Sequence, residues 1–235
     1  MLHQIPLIDW IALAIFFGGW ITYTWFADHS RWSGKSLPRV MDFHRHRWMC
    51  EVLQREVRVP DTIVMGNFVQ SAVFFASTAI LIIGGLVAAL GASDKVLGAL
   101  TTLPFVSPTP QGLWGLKVAS AITVYIYAFV KFIWAVRLAN YSAILFSAAP
   151  FSAGKFSDEY AIELGKMIGL FGLHFNHGLR ANFFALAMLA WWINPYFFIA
   201  STCIVLYVLY RREFRSKSLQ AVNRLKQIAN KRPKQ

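Results

Sequence analysis

Charge is scarce in this chain of 235 residues: 14% of its side chains are charged and 57% are hydrophobic. Soluble domains carry about 25% charged and about 45–50% apolar residues. That excludes a soluble globular protein, and the high hydrophobicity excludes intrinsic disorder. Acid is scarcer still, with 11 Asp and Glu against 23 Lys and Arg. A net charge of +12 on so apolar a chain points to basic loops facing anionic lipid, not to nucleic acid. The two cysteines, Cys50 in a basic loop and Cys203 in an apolar run, exclude a disulfide scaffold. No nucleophile elbow, Walker loop, dinucleotide fingerprint or zinc-protease box is present. No internal repeat is evident, so an inverted-repeat transporter is not supported. The first apolar run has no basic n-region, carries Asp9 and lacks a small-residue cleavage site, so it is expected to be a retained membrane helix, not a signal peptide.

Long apolar runs dominate what is there. A bilayer needs about 20 apolar residues per helix; segments 6–26, 64–90 and 113–138 meet that length. A further block runs from about Phe171 to Tyr210 and contains Trp191-Trp192-Ile193-Asn194-Pro195-Tyr196. Asn-Pro is a turn signal, and Trp and Tyr favour the membrane interface. The block is thus one kinked helix or a tight hairpin of two, 172–193 and 196–210. Charge distribution decides between them. The first loop holds Arg31, Lys35, Arg39, Arg45, Arg47, Arg55 and Arg58, and the tail from Arg211 onward is equally basic. Segment 91–112 has only Lys95. Four spans would put the two basic segments on opposite sides, against the positive-inside rule; five put both in the cytoplasm. The expected architecture is an all-α polytopic bundle, a transmembrane domain over 1–210 with a basic tail over 211–235. Its N-terminus is outside and its C-terminus cytoplasmic, at a bacterial inner (plasma) membrane.

Between the spans, residues 91–112, with Pro104, Pro108 and Pro110, read as an irregular outer loop. Residues 139–156, with Pro150 and Gly154, read as a cytoplasmic loop, after which Ser157-Asp158-Glu159 opens a helix running through Met167 into the fourth span. In 39–58, Val40, Phe43, Trp48, Val52 and Val59 alternate with basic residues as an amphipathic helix along the inner leaflet. The tail repeats the pattern with Leu219, Val222, Leu225 and Ile228. Both segments suit anionic lipid or a partner protein.

Polar residues inside the spans are the candidate functional groups, because charge in the bilayer core faces protein or water. Asn67, Gln70, Ser71, Ser77 and Thr78 share about a 120° arc of the second span, leaving its other side aliphatic and lipid-facing. Lys117, Ser120, Thr123, Tyr127 and Lys131 form a comparable arc of the third, with Arg137 near its inner end. His174, His177 and Arg180 share a face of the fourth. Such stripes either pack together or line a hydrated path, with Lys131, Arg180, Arg137, Asn67, Gln70, Ser71 and Tyr127 as anion-favouring pathway residues. Sequence proximity to the inner boundary makes Glu56, Asp61, Glu159 and Glu163, or the amides of Asn67 and Gln70, the expected partners of Lys131 and Arg180. His44 and His46, with Asp28, His29 and Asp42, fall on the same side as His174 and His177. Imidazole and carboxylate ligate metals, yet Arg45 and Arg47 flank His44 and His46, and the spacing matches no standard metal box. No cofactor is implied. Gly18-Gly19 and Gly84-Gly85 suit close helix contact, and Cys50 is a weak lipidation site.

Several strings taken together resemble a known family. They are Arg55-Glu56-Val57-Arg58-Val59-Pro60-Asp61, Phe74-Phe75-Ala76-Ser77-Thr78, Lys131-Phe132-Ile133-Trp134-Ala135-Val136-Arg137, His174-Phe175-Asn176-His177-Gly178-Leu179-Arg180 and Arg211-Arg212-Glu213-Phe214. They are similar to the bacterial and plant multi-pass membrane proteins grouped as domain-of-unknown-function family 599. The resemblance spans all but the outer loop and last residues; it implies the membrane class and carries no activity. Three functions stay open: a homo-oligomeric channel or small transporter, a non-conducting scaffold for anionic lipid or a partner protein, and a metal- or haem-dependent redox protein. The first predicts ion flux, the second a co-purifying partner, the third colour or bound metal.

Overall fold

The computed structural model describes residues 5–102, 106–107, 109–149 and 155–231, and every regular element among them is helical. In chain order these are α1 (Leu7–His29), a short 3-10 turn (Ser33–Lys35), α2 (Leu37–Leu53), α3 (Val59–Gly91) and α4 (Ser93–Thr101). They are followed by α5 (Gln111–Ala148), α6 (Lys155–Ile193), α7 (Pro195–Phe214) and α8 (Lys217–Lys231). Proline sets several starts, since its fixed φ suits the first turn and its missing N–H costs nothing there. Pro38 and Pro60 stand in the first turns of α2 and α3, and Pro195 opens α7. The α6–α7 break is a single extended residue, Asn194, whose Oδ1 accepts the Tyr196 N–H at 2.8 Å. The helices fold back on each other there: Ser201 Oγ donates to the Ala187 carbonyl at 3.0 Å and the Trp191 and Phe198 rings stack at 4.9 Å.

Helices α1, α3 and α5 are long and apolar enough to cross a membrane. Contacts fix their directions. Phe16 on α1 meets Phe184 and Phe198, Leu206 lies against Gly19, and Phe26 meets Phe214, so α1 is antiparallel to α6 and parallel to α7. Trp114 meets Trp192 while Tyr160 donates to the Leu145 carbonyl, which makes α5 antiparallel to α6. Gln111 reaches Ser93, and Met65 shares a cluster with Phe146, so α3 is antiparallel to α5. Five long helices therefore alternate through one bundle. Helices α2 and α8 lie together at one end: His44 Nε2 hydrogen-bonds the Val222 carbonyl at 3.2 Å and the Lys226 ammonium sits 5.0 Å from the Phe43 ring. Both basic segments thus occupy the same end of the molecule, called here the basic end.

The core falls into three clusters, the smallest joining Ala72 of α3 and Ala135, Leu138 and Ala139 of α5 to Phe171 of α6. The large one holds Phe16, Trp20, Phe132, Phe184, Trp191 and Phe198 between the long helices. A smaller one at the basic end packs Met49, Val52, Leu53, Met65, Phe146, Leu164 and Ile168. It exists because α5, of 38 residues, rises to about 57 Å at 1.5 Å per residue, more than the about 30 Å of a hydrocarbon core, with the 39-residue α6 alongside it. Several expectations are corrected by this. Residues 139–148 continue α5 instead of forming a loop, with Ser142 and Phe146 buried; Pro150 and Gly154 lie outside the described residues. Segment 91–112 contains α4, and Ser107 is tied to the hairpin by its N–H to the Ile193 carbonyl at 2.9 Å and by Asn194 Nδ2 to its Oγ at 3.1 Å. Pro104 and Pro108 lie outside the described residues.

The amphipathic segment is also different from its expected form. It ends at Leu53, Val59 belongs to α3 and is 66% exposed, and the helix packs on α6. Val40, Met49, Val52 and Leu53 are buried. Glycines on α6 allow that approach, since a Cβ at Gly165 would come within 2.9 Å of the His46 ring and one at Gly172 within 2.7 Å of the Arg45 guanidinium.

The tightest glycine contact lies between α5 and α6. A Cβ at Gly178 would come within 2.6–2.8 Å of the Phe132 ring, which is fully buried and stacked on Phe75. Gly178→Ala is therefore expected to destabilise the protein by about 1–3 kcal/mol, the usual cost of overpacking a rigid core. Gly84→Ala meets nothing within 4 Å and serves as the neutral comparison. Thermal unfolding in detergent checks it; equal melting of the two variants contradicts this packing.

Candidate functional site

The only arginine of α6 is Arg180, 2% exposed. Ionised groups lose several kcal/mol of hydration on burial and need partners with good geometry. Arg180 receives them from two other helices. Its Nε and Nη2 donate to Oε1 and Oε2 of Glu213 on α7, both at 2.9 Å, and Nη1 donates to Asp28 Oδ1 on α1 at 2.9 Å. The paired fork on Glu213 is the geometry that planar guanidinium and carboxylate favour. Asp28 Oδ2 lies 2.7 Å from His177 Nε2, one turn before Arg180 on α6. Beneath the guanidinium, at 5.7 Å, is the Tyr23 ring of α1. Four ionisable groups from three helices thus share one buried network.

The network continues toward the basic end. A cavity of about 20 Å³ lies between Asp28, Arg180, Asn176, Asp42 and Arg45, room for one water. On its far side Arg45 Nη1 donates to Asp42 Oδ1 at 2.6 Å. Asp42 itself lies 3.5 Å from where a Gly169 Cβ would stand. Charge therefore runs from the α1–α6–α7 contact to α2 without an unpaired carboxylate at either end.

Lys131 stands beside this network and has a different environment. It is half-buried on α5, its ammonium 5.2 Å from the Tyr127 ring, and it makes no ion pair among the described residues. Tyr127 touches Trp20 of α1 edge-on at 5.1 Å. His174 is a neighbour of Lys131, packed edge-on to Trp134 at 6.3 Å and to His177 at 6.1 Å. The Nδ1 atoms of His174 and His177 are buried without hydrogen-bond partners. Lys131, Tyr127, His174, His177 and Arg180 thus lie near one another around α6.

Other predicted site residues lie elsewhere. Asn67, Gln70 and Ser71 are exposed on the face of α3 opposite its buried Met65, Ala72, Ala76 and Ala79. The polar stripe of α3 thus faces away from the bundle and the alanine face packs against α5, the reverse of the expected arrangement. Arg137 is exposed and donates to Tyr141 at 2.7 Å within α5. His44 is bound to α8, while His46 Nδ1 pairs with the Asp42 carbonyl at 2.7 Å and its ring lies on Gly165. These two histidines do not join His174 and His177. Among the described residues no three His, Cys, Asp or Glu side chains are placed to hold a metal. At the opposite end, Asp9 accepts the Trp191 indole N–H at 2.6 Å, with the Lys117 ammonium 5.8 Å from that ring and 3.4 Å from Thr109 Oγ1. Lys117 is 2% exposed, so it is held inside instead of reaching out to the interface.

The partners of Arg180 correct a sequence expectation. Asp61, one of those expected, binds the Trp48 indole N–H at 2.7 Å and Arg55 at 3.1 Å. Glu163 pairs with Lys166 at 2.5 Å. Glu213 was missed, and Asp28, expected on the side of His174 and His177, was not expected as a partner of Arg180. The available signal was their place: with so few acids, one stands at the last turn of each apolar run nearest Arg180. Both cysteines are free. Burial first, then the Asp158 and Glu51 carboxylates, raises the Cys50 thiol above its usual pKa, which makes it a poor nucleophile for acylation.

Arg180→Met would leave two buried carboxylates facing each other. The expected loss is about 3–5 kcal/mol, as for a buried pair stripped of one partner. Adding Asp28→Asn and Glu213→Gln to it should recover part of that loss. Detergent melting curves of the single and triple variants measure this; an undisturbed single variant means that the network does not hold the helices together.

No curated protein and no solved structure matches this chain. The family described as "Protein of unknown function, DUF599" matches residues 11–218. The strings that meet in the structure, around His177, Arg180 and Glu213, fall inside that match, and the chain belongs to the DUF599 family.

Proposed function

We propose that the protein is a five-span inner-membrane protein that passes a small anion as a homo-oligomeric channel or transporter, with Lys131 as the anion-contacting cation. The observation that carries this reading is the contrast between two cations at one depth. Arg180 is neutralised by two carboxylates, whereas Lys131, half-buried over Tyr127 and beside His174, makes no ion pair among the described residues. A cation without a counter-charge in a low-dielectric bundle attracts an anion. The Arg180 network then serves as the lock that holds the basic ends of α1, α6 and α7, not as a basic ring.

Five spans are supported by the alternation of the five long helices, and a cytoplasmic basic end by the meeting of α2 with α8 under the positive-inside rule. Homo-oligomerisation is supported by the outward face of α3. Asn67 and Gln70 carry amides exposed in a helix apolar enough to span a membrane. Each amide both donates and accepts, so the same stripe on a second copy satisfies it. Gly85 on that face meets nothing within 4 Å.

A scaffold role is the second reading, favoured by α8, whose Leu225 and Ile228 are 55% and 61% exposed. That apolar edge among basic residues suits a lipid surface or a partner helix.

Chloride flux into proteoliposomes is expected to fall about tenfold or more in Lys131→Ala, the scale of a lost charge-assisted contact, with melting unchanged. Absence of flux in the unaltered protein removes the transport reading and leaves the scaffold. Native mass spectrometry of Asn67→Leu/Gln70→Leu should show monomer where the unaltered chain shows oligomer. An unchanged assembly places the interface elsewhere.

A further inference from the structure

At the basic end, the last turn of α1 and the 3-10 turn after it form a cup that takes no part in the Arg180 network. Trp25, His29, Ser30, Arg31, Trp32 and Lys35 line an open cavity of about 630 Å³. Trp25 and Trp32 are 63% and 57% exposed, large for indoles without a role at a surface. The His29 ring stacks on Trp25 at 6.4 Å, and the Lys35 ammonium stands 4.5 Å from the centre of the Trp32 ring. Ser30 Oγ accepts the Trp32 N–H at 3.2 Å, which leaves its own O–H to donate.

No acid lines the cup. Asp28, the acid nearest in sequence, is turned into the bundle with its oxygens on Arg180 and His177. Arg31 and Lys35 are exposed and form no ion pair among the described residues. The cup therefore presents two uncompensated cations and a hydroxyl at the end of a helix apolar enough to cross a membrane. Indoles at a span end sit at headgroup level, where one edge is apolar and the other wet.

We propose that this cup binds the phosphate of an anionic phospholipid. The phosphodiester lies between Arg31 and Lys35 with Ser30 donating to it, and the glycerol and upper acyl carbons lie on Trp25 and Trp32. Guanidinium and ammonium are the donors that phosphate favours. A zwitterionic lipid brings its own cation toward Arg31, Lys35 and His29, so the cup discriminates against it. The inference rests on α1 being a membrane span and not on ion translocation.

Native mass spectrometry of the full chain in a gentle detergent tests this, with phosphatidylglycerol, phosphatidylcholine and inorganic phosphate titrated separately. A resolved adduct of one phosphatidylglycerol, tighter than phosphatidylcholine, is expected. Arg31→Gln/Lys35→Gln should weaken it about 25-fold, two cations at about fivefold each, and leave phosphatidylcholine unchanged. Trp25→Leu should weaken both lipids by removing apolar contact, and gives a second reading should the charge variant fold poorly. Arg211→Gln/Arg224→Gln removes two exposed cations elsewhere and is expected to leave the adduct intact. The proposal is overturned if the two lipids bind equally, if the cup and control variants lose the same affinity, or if inorganic phosphate displaces the lipid as a competitor of equal strength. The last result reassigns the cup to free phosphate. Flux that persists in the cup variant, or is absent throughout, separates this outcome from the transport reading.

Discussion

Moving an ion from water into a protein interior costs several kcal/mol, and the packing of α1, α6 and α7 follows from how that cost is met at Arg180. A guanidinium has five N–H donors in a rigid plane, more than one carboxylate can use. Glu213 takes one edge and Asp28 another. Because the three residues come from three helices, satisfying the charge also sets the depth at which those helices lie against each other. A shift of α6 by a turn, about 5.4 Å, would break every one of these bonds. Apolar packing alone would tolerate such a slip far better, since aliphatic and aromatic surfaces are only weakly directional.

The aromatic core supports that register without determining it. Phe16, Phe184 and Phe198 meet between α1, α6 and α7, and Trp20 bridges to Tyr127 on α5. Glycine then sets how close α6 can come to its neighbours. Phe132 sits where Gly178 has no side chain, and His46 and Arg45 sit over Gly165 and Gly172. One helix therefore presents glycine to α5 at Gly178 and to α2 at Gly165 and Gly172. The N-terminal half of α6 packs into the core cluster at the basic end, where Asp42 and Arg45 connect the α2 layer to the buried charges.

Much of this was legible in the residues. The apolar runs located the long helices, and the Asn194-Pro195 pair located the hairpin because proline at a first helical position and Asn as a cap are local chemistry. Helix ends were less legible where a helix outruns the bilayer. Residues 139–148 of α5 carry small and hydroxylated side chains with aromatic ones, and they are helical because Phe146 and Ser142 are buried against neighbours far away in the chain. The face of α3 was misread for a related reason. Periodicity shows that Asn67, Gln70 and Ser71 share a side, yet the choice of which side is buried belongs to α5, whose surface accepts alanines at close range.

By itself, the sequence determined that the chain is helical, apolar enough for a membrane, basic in two segments, and punctuated by a few intramembrane ionisable groups. These are properties of composition and local periodicity, and they survive any arrangement of the helices. Tertiary structure alone decided which charges are neutralised. Arg180 and Lys131 look alike in the sequence, each a cation on a polar stripe, but Asp28 and Glu213 converge on the first and no carboxylate among the described residues pairs with the second. Electrostatic partnership depends on distance in space, and the residues that meet at Arg180 are separated in the chain by 152 and 33 positions.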